Sequence, residues 1–317
     1  MAQVMEDPAK REPTKTFEDA SPYLHDPIAL REKAEKDGYL FIKGLIPVDT
    51  ILGLRREILE ILDRRGYLNK NRPLMEGICD LDAIHSRLTE EDVNFNGVGV
   101  PMDVYREVQK LESFHALAHE PKLLQLYETL FEEKPFPHPR NIGRIMMPHT
   151  KLHKTPTHQD FLHIQGSEQT WTCWMPIGDA TQQMGALAIL EGSHKAGLLG
   201  VTHAPGAGEL ESILCGLGYE WVAGDYGAGD LVTFHSLTVH KALSNRLPDQ
   251  IRISADMRFQ PSSAPIQGNS FYPHGPYEWD DLYEGWQREE LKYYWKNSDF
   301  TLTPYDESIR WQKEKIC

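Results

Sequence analysis

Thr157-His158-Gln159-Asp160 and, further along, Gly229-Asp-Leu-Val-Thr-Phe-His-Ser-Leu-Thr-Val-His240 are the stretches on which the reading of this chain turns. In an extended strand, residues i and i+2 project to one face, so His158 and Asp160 can reach the same point. Gly229-Asp230 reads as a turn, Leu231 to Phe234 as a buried strand, and Ser236 to His240 as its continuation. His240 is too distant in the chain to share a strand with Asp160, so it must arrive on another one, as happens at the mouth of a barrel. Two histidines and one carboxylate occupy one face of an octahedral ion and leave three positions open for a co-substrate and dioxygen, the donor pattern of non-haem Fe(II). The same three ligands would also suit Zn2+ in a cupin-like hydrolase or isomerase. A third reading is a non-catalytic small-molecule binder.

Ile251 to Phe259 reads as a further strand, on which Arg252 and Arg258 share one face by parity. Either arginine could grip a carboxylate through two parallel hydrogen bonds. Arg144 sits in the otherwise apolar run from Asn141 to Met147, and a buried arginine needs an anionic partner. It is either a second anion clamp or a residue on a face that meets water. His149, His153, His163, His194 and His235 lack a partner at ligand spacing and are read as non-ligands, with His163 a candidate neighbour of the metal site.

These segments resemble the phytanoyl-CoA dioxygenase family of Fe(II)/2-oxoglutarate-dependent oxygenases. The resemblance is carried by Asp37-Gly-Tyr-Leu-Phe-Ile-Lys-Gly44, Thr157-His-Gln-Asp160, Thr172-Cys-Trp-Met-Pro176, Met184-Gly-Ala-Leu-Ala-Ile-Leu-Glu-Gly-Ser-His194, Gly229 to His240, Asn245 and Arg252. It covers roughly residues 27 to 260. It implies a mainly β fold with flanking helices around a double-stranded β-helix (jelly-roll, cupin-like) core, and oxidative decarboxylation of 2-oxoglutarate to succinate and CO2. It further implies Arg252 on the far carboxylate of 2-oxoglutarate, and Gln159 and Trp174 beside that co-substrate. Two departures are visible. The interval from His240 to Arg252 is one residue longer than the family's pattern, which leaves Arg258 as the other clamp candidate, and Ala242 stands where a small hydroxyl residue is common. Halogenating relatives lack the carboxylate at the Asp160 position, so its presence implies hydroxylation, or a related desaturation or ring-forming oxidation.

Composition narrows the partners. A formal net charge of −14 argues against nucleic acid, which needs a basic surface. No apolar run is long enough to span a membrane and the N-terminus lacks a signal-peptide core. The four cysteines, Cys79, Cys173, Cys215 and Cys317, show no metal or disulfide spacing and read as reduced thiols, which with the missing signal places the chain in the cytoplasm. The expected partner is a small-molecule substrate. Residues 1–22 read as a mobile arm and 23–300 as one domain. That domain comprises a helical part (23–135), the core (139–262) and an aromatic helical tail (275–297). The tail is read as packing, with a homo-oligomer contact as the alternative. Helices are expected near 27–37, 49–65, 103–118 and 121–132, irregular chain over 67–101, and a Gly-rich insertion near 197–227 that is either a lid or a surface loop.

Overall fold

The computed structural model describes residues 8–148, 150, 153–214 and 218–311. In chain order the strands are β1 (Lys15–Thr16), β2 (Tyr39–Ile42), β3 (Pro135–Pro137), β4 (Ile142–Met146), β5 (Trp171–Pro176), β6 (Leu187–Leu190), β7 (Val201–His203), β8 (Leu210–Ser212), β9 (Trp221–Ala223), β10 (Leu231–His235), β11 (His240–Ala242), β12 (Arg252–Pro261), β13 (Ile266–Gln267) and β14 (Leu302–Thr303). The larger sheet runs β2-β10-β5-β12-β3, with β4 also paired to β12; the smaller runs β1-β9-β6-β11. Tyr39, Phe41, Trp174, Val232 and Phe234 of the larger sheet pack against Leu187, Ile189 and Val222 of the smaller one. This is the jelly roll that the sequence implies.

Strand β12 shows why the site lies where it does. Its odd residues, Ile253, Ala255, Met257 and Phe259, join the large core formed with the helices Val48–Arg64, Met102–Gln109 and Pro121–Phe131. By alternation its even residues, Arg252, Ser254, Asp256 and Arg258, project to the opposite face, between the two sheets. Every residue of β12 is buried, so these polar groups have been taken out of water and must be satisfied locally.

The first helix, Pro27–Asp37, is capped by the Asp26 side chain on Ala29 N and closed by Gly38 at φ 76°. A Cβ at Gly38 would come within 2.3 Å of the His194 ring, so the position needs glycine for conformation and for space. In the helix Val48–Arg64 the predicted stripe of Ile51, Leu54, Ile58, Ile61 and Leu62 is buried. The helix expected over 103–118 is broken at Leu111 (ψ 114°), which lets the buried His115 donate to the Gln109 carbonyl. The stretch expected to be irregular, 67–101, contains the helices Leu81–Arg87 and Glu90–Asn94, the second opened by a reciprocal Thr89–Asp92 cap.

Three expectations are corrected. From Pro8 onward the N-terminal stretch is seated, not free: β1 pairs with β9, and the buried Lys241 ammonium donates to the carbonyls of Ala9 and Arg11. The 197–227 stretch is not all insertion, because Trp221–Ala223 is strand β9 of the smaller sheet and β7–β8 form a hairpin. Within 275–297 only Trp279–Leu282 is α-helical. Trp279, Tyr283, Trp286 and Trp295 there pack on one another and on Phe136. Among the described residues no helix is long and apolar enough to cross a membrane.

Candidate metal centre and co-substrate site

His158 and His240 are directly opposite each other in a short antiparallel pairing, each backbone N–H donating to the other's carbonyl at 3.0 Å. Opposed residues in such a pair put their side chains on one face, and the two imidazole centroids are 4.1 Å apart. Asp160 arrives differently from the strand expected of it. The backbone turns helical at this residue (φ −63°, ψ −30°), which precedes the short helix Phe161–Ile164. The turn swings the carboxylate beneath the two rings: Oδ1 lies 3.4 Å from His158 Nε2 and 3.8 Å from His240 Nε2. One donor atom from each of the three residues falls within 4.8 Å of the others, and among the described residues no other His, Cys, Asp and Glu grouping does so.

The surrounding hydrogen bonds prepare these atoms for a cation. His158 Nδ1 lies 2.8 Å from the Pro156 carbonyl, and His240 Nδ1 lies 3.1 Å from the Thr238 carbonyl. A carbonyl only accepts, so each Nδ1 carries the proton and each Nε2 presents a lone pair to the centre. On Asp160, Oδ2 accepts from Thr172 Oγ1 and from Arg258 Nη2 (3.3 Å), leaving Oδ1 for the ion. Burial opposes the charge on Asp160, but the Arg258 guanidinium beside it holds the carboxyl well below the ordinary carboxylate range. Burial, with His158 adjacent, pushes His240 down to about 3, so its ring is neutral, as a ligand must be. The residues fit a hard-to-borderline divalent cation with open positions.

Next to this centre, a cavity between the sheets is lined by Trp174, Leu187, Phe234, Ala242 and Arg252. Arg252 is 2% exposed. Its Nη1 donates to Ser254 Oγ and its guanidinium carbon stands 5.7 Å from the Trp174 ring centroid. Its Nε has no partner, and no carboxylate stands within ion-pair distance of it among the described residues. Burial drives its pKa down to about 10. A buried guanidinium with an orphaned N–H and no counter-ion is what a dicarboxylate co-substrate would complete. Arg258, the alternative clamp, is instead tied to Asp160. The longer interval after His240 is taken up in a turn that Asn245 holds, its amide donating to the Gln250 carbonyl at 2.9 Å and accepting from Leu247 N.

Two other expected co-substrate residues are placed elsewhere. Gln159 points away from the ion, donating to the carbonyls of Gly197 and Leu237 and accepting from Leu199 N; it ties two loops together. His158 is paired across to His240 and the backbone turns helical only at Asp160, so Gln159, the next residue after His158, faces the other way. Arg144 lines the cavity, but its charge is met at 2.7 Å by Asp256, and it also donates to the Gly97 carbonyl. Arg144, read as a second clamp or as a water-facing side chain, lines the cavity as a partly buried ion pair with Asp256. Of the other histidines, His163 sits beside the centre, 5.7 Å from the His158 ring, with its Nε2 unpartnered. His153 is exposed against Glu90, and His194 donates to the Glu35 carbonyl; His149 lies outside the described residues. Sequence reading missed Thr172 and Asp256. The parity of β12 signals Asp256; nothing marks Thr172, which is one of several buried threonines.

The sequence is similar to 1-deoxypentalenic acid 11-beta-hydroxylase of Streptomyces arenae, 25% identical over 272 residues that span 81% of this chain and 89% of the relative. The Streptomyces exfoliatus protein of that name is 23% identical over 269 residues, with the same shares covered. The fold is similar to that of the epimerase SnoN in complex with Fe3+, alpha ketoglutarate and nogalamycin RO, with a TM-score of 0.53, 18% identity, and 76% of this chain and 86% of that one covered. It is also similar to the non-heme alpha ketoglutarate dependent carbocyclase SnoK from nogalamycin biosynthesis, with a TM-score of 0.50, 16% identity, and 81% and 89% covered. The sequence pattern of the phytanoyl-CoA dioxygenase (PhyH) family matches residues 34–254, which include His158, Asp160, His240 and Arg252. The chain therefore belongs to the phytanoyl-CoA dioxygenase family of Fe(II)- and 2-oxoglutarate-dependent oxygenases.

Proposed function

We propose that this enzyme hydroxylates a C–H bond of a small-molecule metabolite, with His158, Asp160 and His240 holding Fe(II) and Arg252 holding the far carboxylate of 2-oxoglutarate. Family membership sets aside the zinc hydrolase or isomerase and the non-catalytic jelly roll. Bound iron and 2-oxoglutarate supply the activation of O2 and the oxidising equivalents, with release of succinate and CO2. The protein's own groups then have definable tasks. The carbonyls of Pro156 and Thr238 fix the imidazole tautomers. Thr172 and Arg258 orient Asp160. Ser254 and the Trp174 face position the Arg252 fork, and the paired Arg144 and Asp256 close the cavity beside it without adding net charge. Asp160 occupies a coordination position that a halogenating enzyme leaves to halide, which favours hydroxylation or a related desaturation. The similarity to 1-deoxypentalenic acid 11-beta-hydroxylase supports hydroxylation of a small molecule.

The observation that carries this reading is the convergence of two Nε2 lone pairs and one carboxylate oxygen next to a buried arginine that lacks a counter-ion. The test is an anaerobic titration of the Fe(II)-loaded protein with 2-oxoglutarate, followed by its charge-transfer absorption. The H158A and H240A variants should each lose iron at micromolar metal and lose that absorption. Normal iron stoichiometry in either variant would refute the triad. A metabolite library screened for succinate release then identifies the substrate.

A further inference from the structure

A second cavity, of about 350 Å³, adjoins the metal centre and shares Arg144, His158, Asp160 and Arg258 with the inner one. That volume is at the small end of the range for small-molecule sites. Its wall is largely polar, with Asn269 and Ser270 supplied by the segment that follows β13. Three guanidiniums, those of Arg140, Arg144 and Arg258, face this space, and Asp160 is the one carboxylate on its wall among the described residues.

The charges do not balance. Arg144 is neutralised by Asp256. With iron and 2-oxoglutarate in place, the dication, Asp160, the dianionic co-substrate and Arg252 cancel one another. The charges of Arg140 and Arg258 are then in excess, since Asp160, which Arg258 touches, is already counted against the dication, and this in a chain whose formal net charge is −14. Arg258 is 8% exposed and its Nε is unpartnered. Arg140 is half-buried and spends one nitrogen on two backbone carbonyls, Pro273 at 2.9 Å and Tyr272 at 3.4 Å. Arg140 and Arg258 line the same cavity, and burial, and after it the charge of Arg258, lowers the pKa of Arg140. Two such groups facing one cavity are costly unless an anion enters.

We propose that Arg140 and Arg258 form an oxyanion subsite for the substrate, and that the substrate is a polar small molecule bearing a carboxylate or phosphoryl group. The placement of this subsite beside the reaction rests on the Fe(II)/2-oxoglutarate reading above. Arg258 reaches both Asp160 and the outer cavity, so it sets the anion at a fixed remove from the metal, and the rest of the substrate is directed across the open positions. Each guanidinium offers paired N–H donors, the arrangement that recognises planar and tetrahedral oxyanions.

The test uses protein loaded with Zn(II) and 2-oxoglutarate, in which Arg252 is already occupied and no turnover occurs. Benzoate, phenyl phosphate and benzamide, which share a ring and differ in charge, are titrated with ligand-observed NMR. The anions should bind saturably and benzamide should not, and the stronger of the two anions identifies the group the subsite takes. Arg140→Gln should weaken anion binding roughly tenfold or more, the loss expected for a hydrogen bond to a charged group. It should leave 2-oxoglutarate affinity unchanged, and Arg140→Lys should recover part. Equal binding of benzamide and benzoate, or unchanged anion binding in a folded Arg140→Gln, overturns the subsite. If 2-oxoglutarate itself fails to bind, the metal and co-substrate reading falls instead, and comparison of wild-type and Arg140→Gln without metal still decides the subsite.

Discussion

Replacing Arg252 with alanine tests the co-substrate site most directly, because the structure separates it from its rival. Arg252 is 2% exposed, stands against Trp174, and has Ser254 as its one hydrogen-bonding partner. The acid on the same face of β12, Asp256, is already engaged by Arg144. On the proposed function, the far carboxylate of 2-oxoglutarate is the anion that this guanidinium would meet. Removing one member of a buried charge pair costs about 2–5 kcal/mol. At about 1.4 kcal/mol per tenfold, that corresponds to a roughly 30- to 4,000-fold rise in the 2-oxoglutarate dissociation constant. Arg252→Lys should recover part of this, since an ammonium offers charge without the planar fork. Calorimetric titration of 2-oxoglutarate into the anaerobic Co(II)-loaded protein measures it. Arg258→Gln is the control: it frees Asp160 Oδ2 from a donor, so metal affinity should fall while 2-oxoglutarate affinity changes little. Should Arg258→Gln lose 2-oxoglutarate and Arg252→Ala keep it, the assignment of the two arginines is reversed and the reasoning from β12 fails.

Other outcomes follow from the same geometry. Thr172→Val keeps the shape but removes the hydroxyl that donates to Asp160, and should weaken Fe(II) binding about 10- to 100-fold, with Thr172→Ser near wild type; equal iron affinity in the valine variant would show that Asp160 needs no such support. Asp160→Gly should abolish hydroxylation while leaving both histidines, and mass analysis of products with and without chloride should reveal at most slow halogen transfer; hydroxylation at the wild-type rate would remove Asp160 from the ligand set. Acid should unfold the protein partly through His115, whose neutral ring donates to the Gln109 carbonyl and accepts from Asn141. Burial lowers its pKa from 6.5 to about 4, so its contribution, of about 3 kcal/mol, is complete above about pH 6.5 and is lost as pH falls through about 4. Denaturant midpoints between those pH values should therefore fall less steeply for H115Q than for wild type.

The candidate metal ligands were legible because they needed only a local pattern and a chemical type. Even so, the route differs from the one inferred. His158 and His240 share a face by cross-strand pairing, whereas Asp160 enters through a strand-to-helix turn that no parity argument describes. The alternation of β12 was also legible, and it placed Arg252 and Arg258 together. Gln159 was misread because its position came from resemblance. Alternation from His158, whose cross-strand pair with His240 sets the face of the site, points it outward to the carbonyls it satisfies.

What could not be read was the pairing of charges between distant segments. Arg144 meets Asp256 because β4 and β12 are in a register that sets Arg144 opposite Ser254. That register depends on the packing of Ile145 and Ile253 into the core under the helices, and a one-residue slip would turn Arg144 toward that core. The sign of the whole site hangs on this contact. With Arg144 neutralised, the cations left are Arg140 in the outer cavity, Arg252 in the inner one, and Arg258, which lines both and is held by Asp160. With Arg144 free, three cations would compete for the same co-substrate and none could be assigned. The helix-facing core of the larger sheet therefore does more than stabilise the fold. By holding β4 in register it decides which arginines are available for anions, and so where each carboxylate can bind.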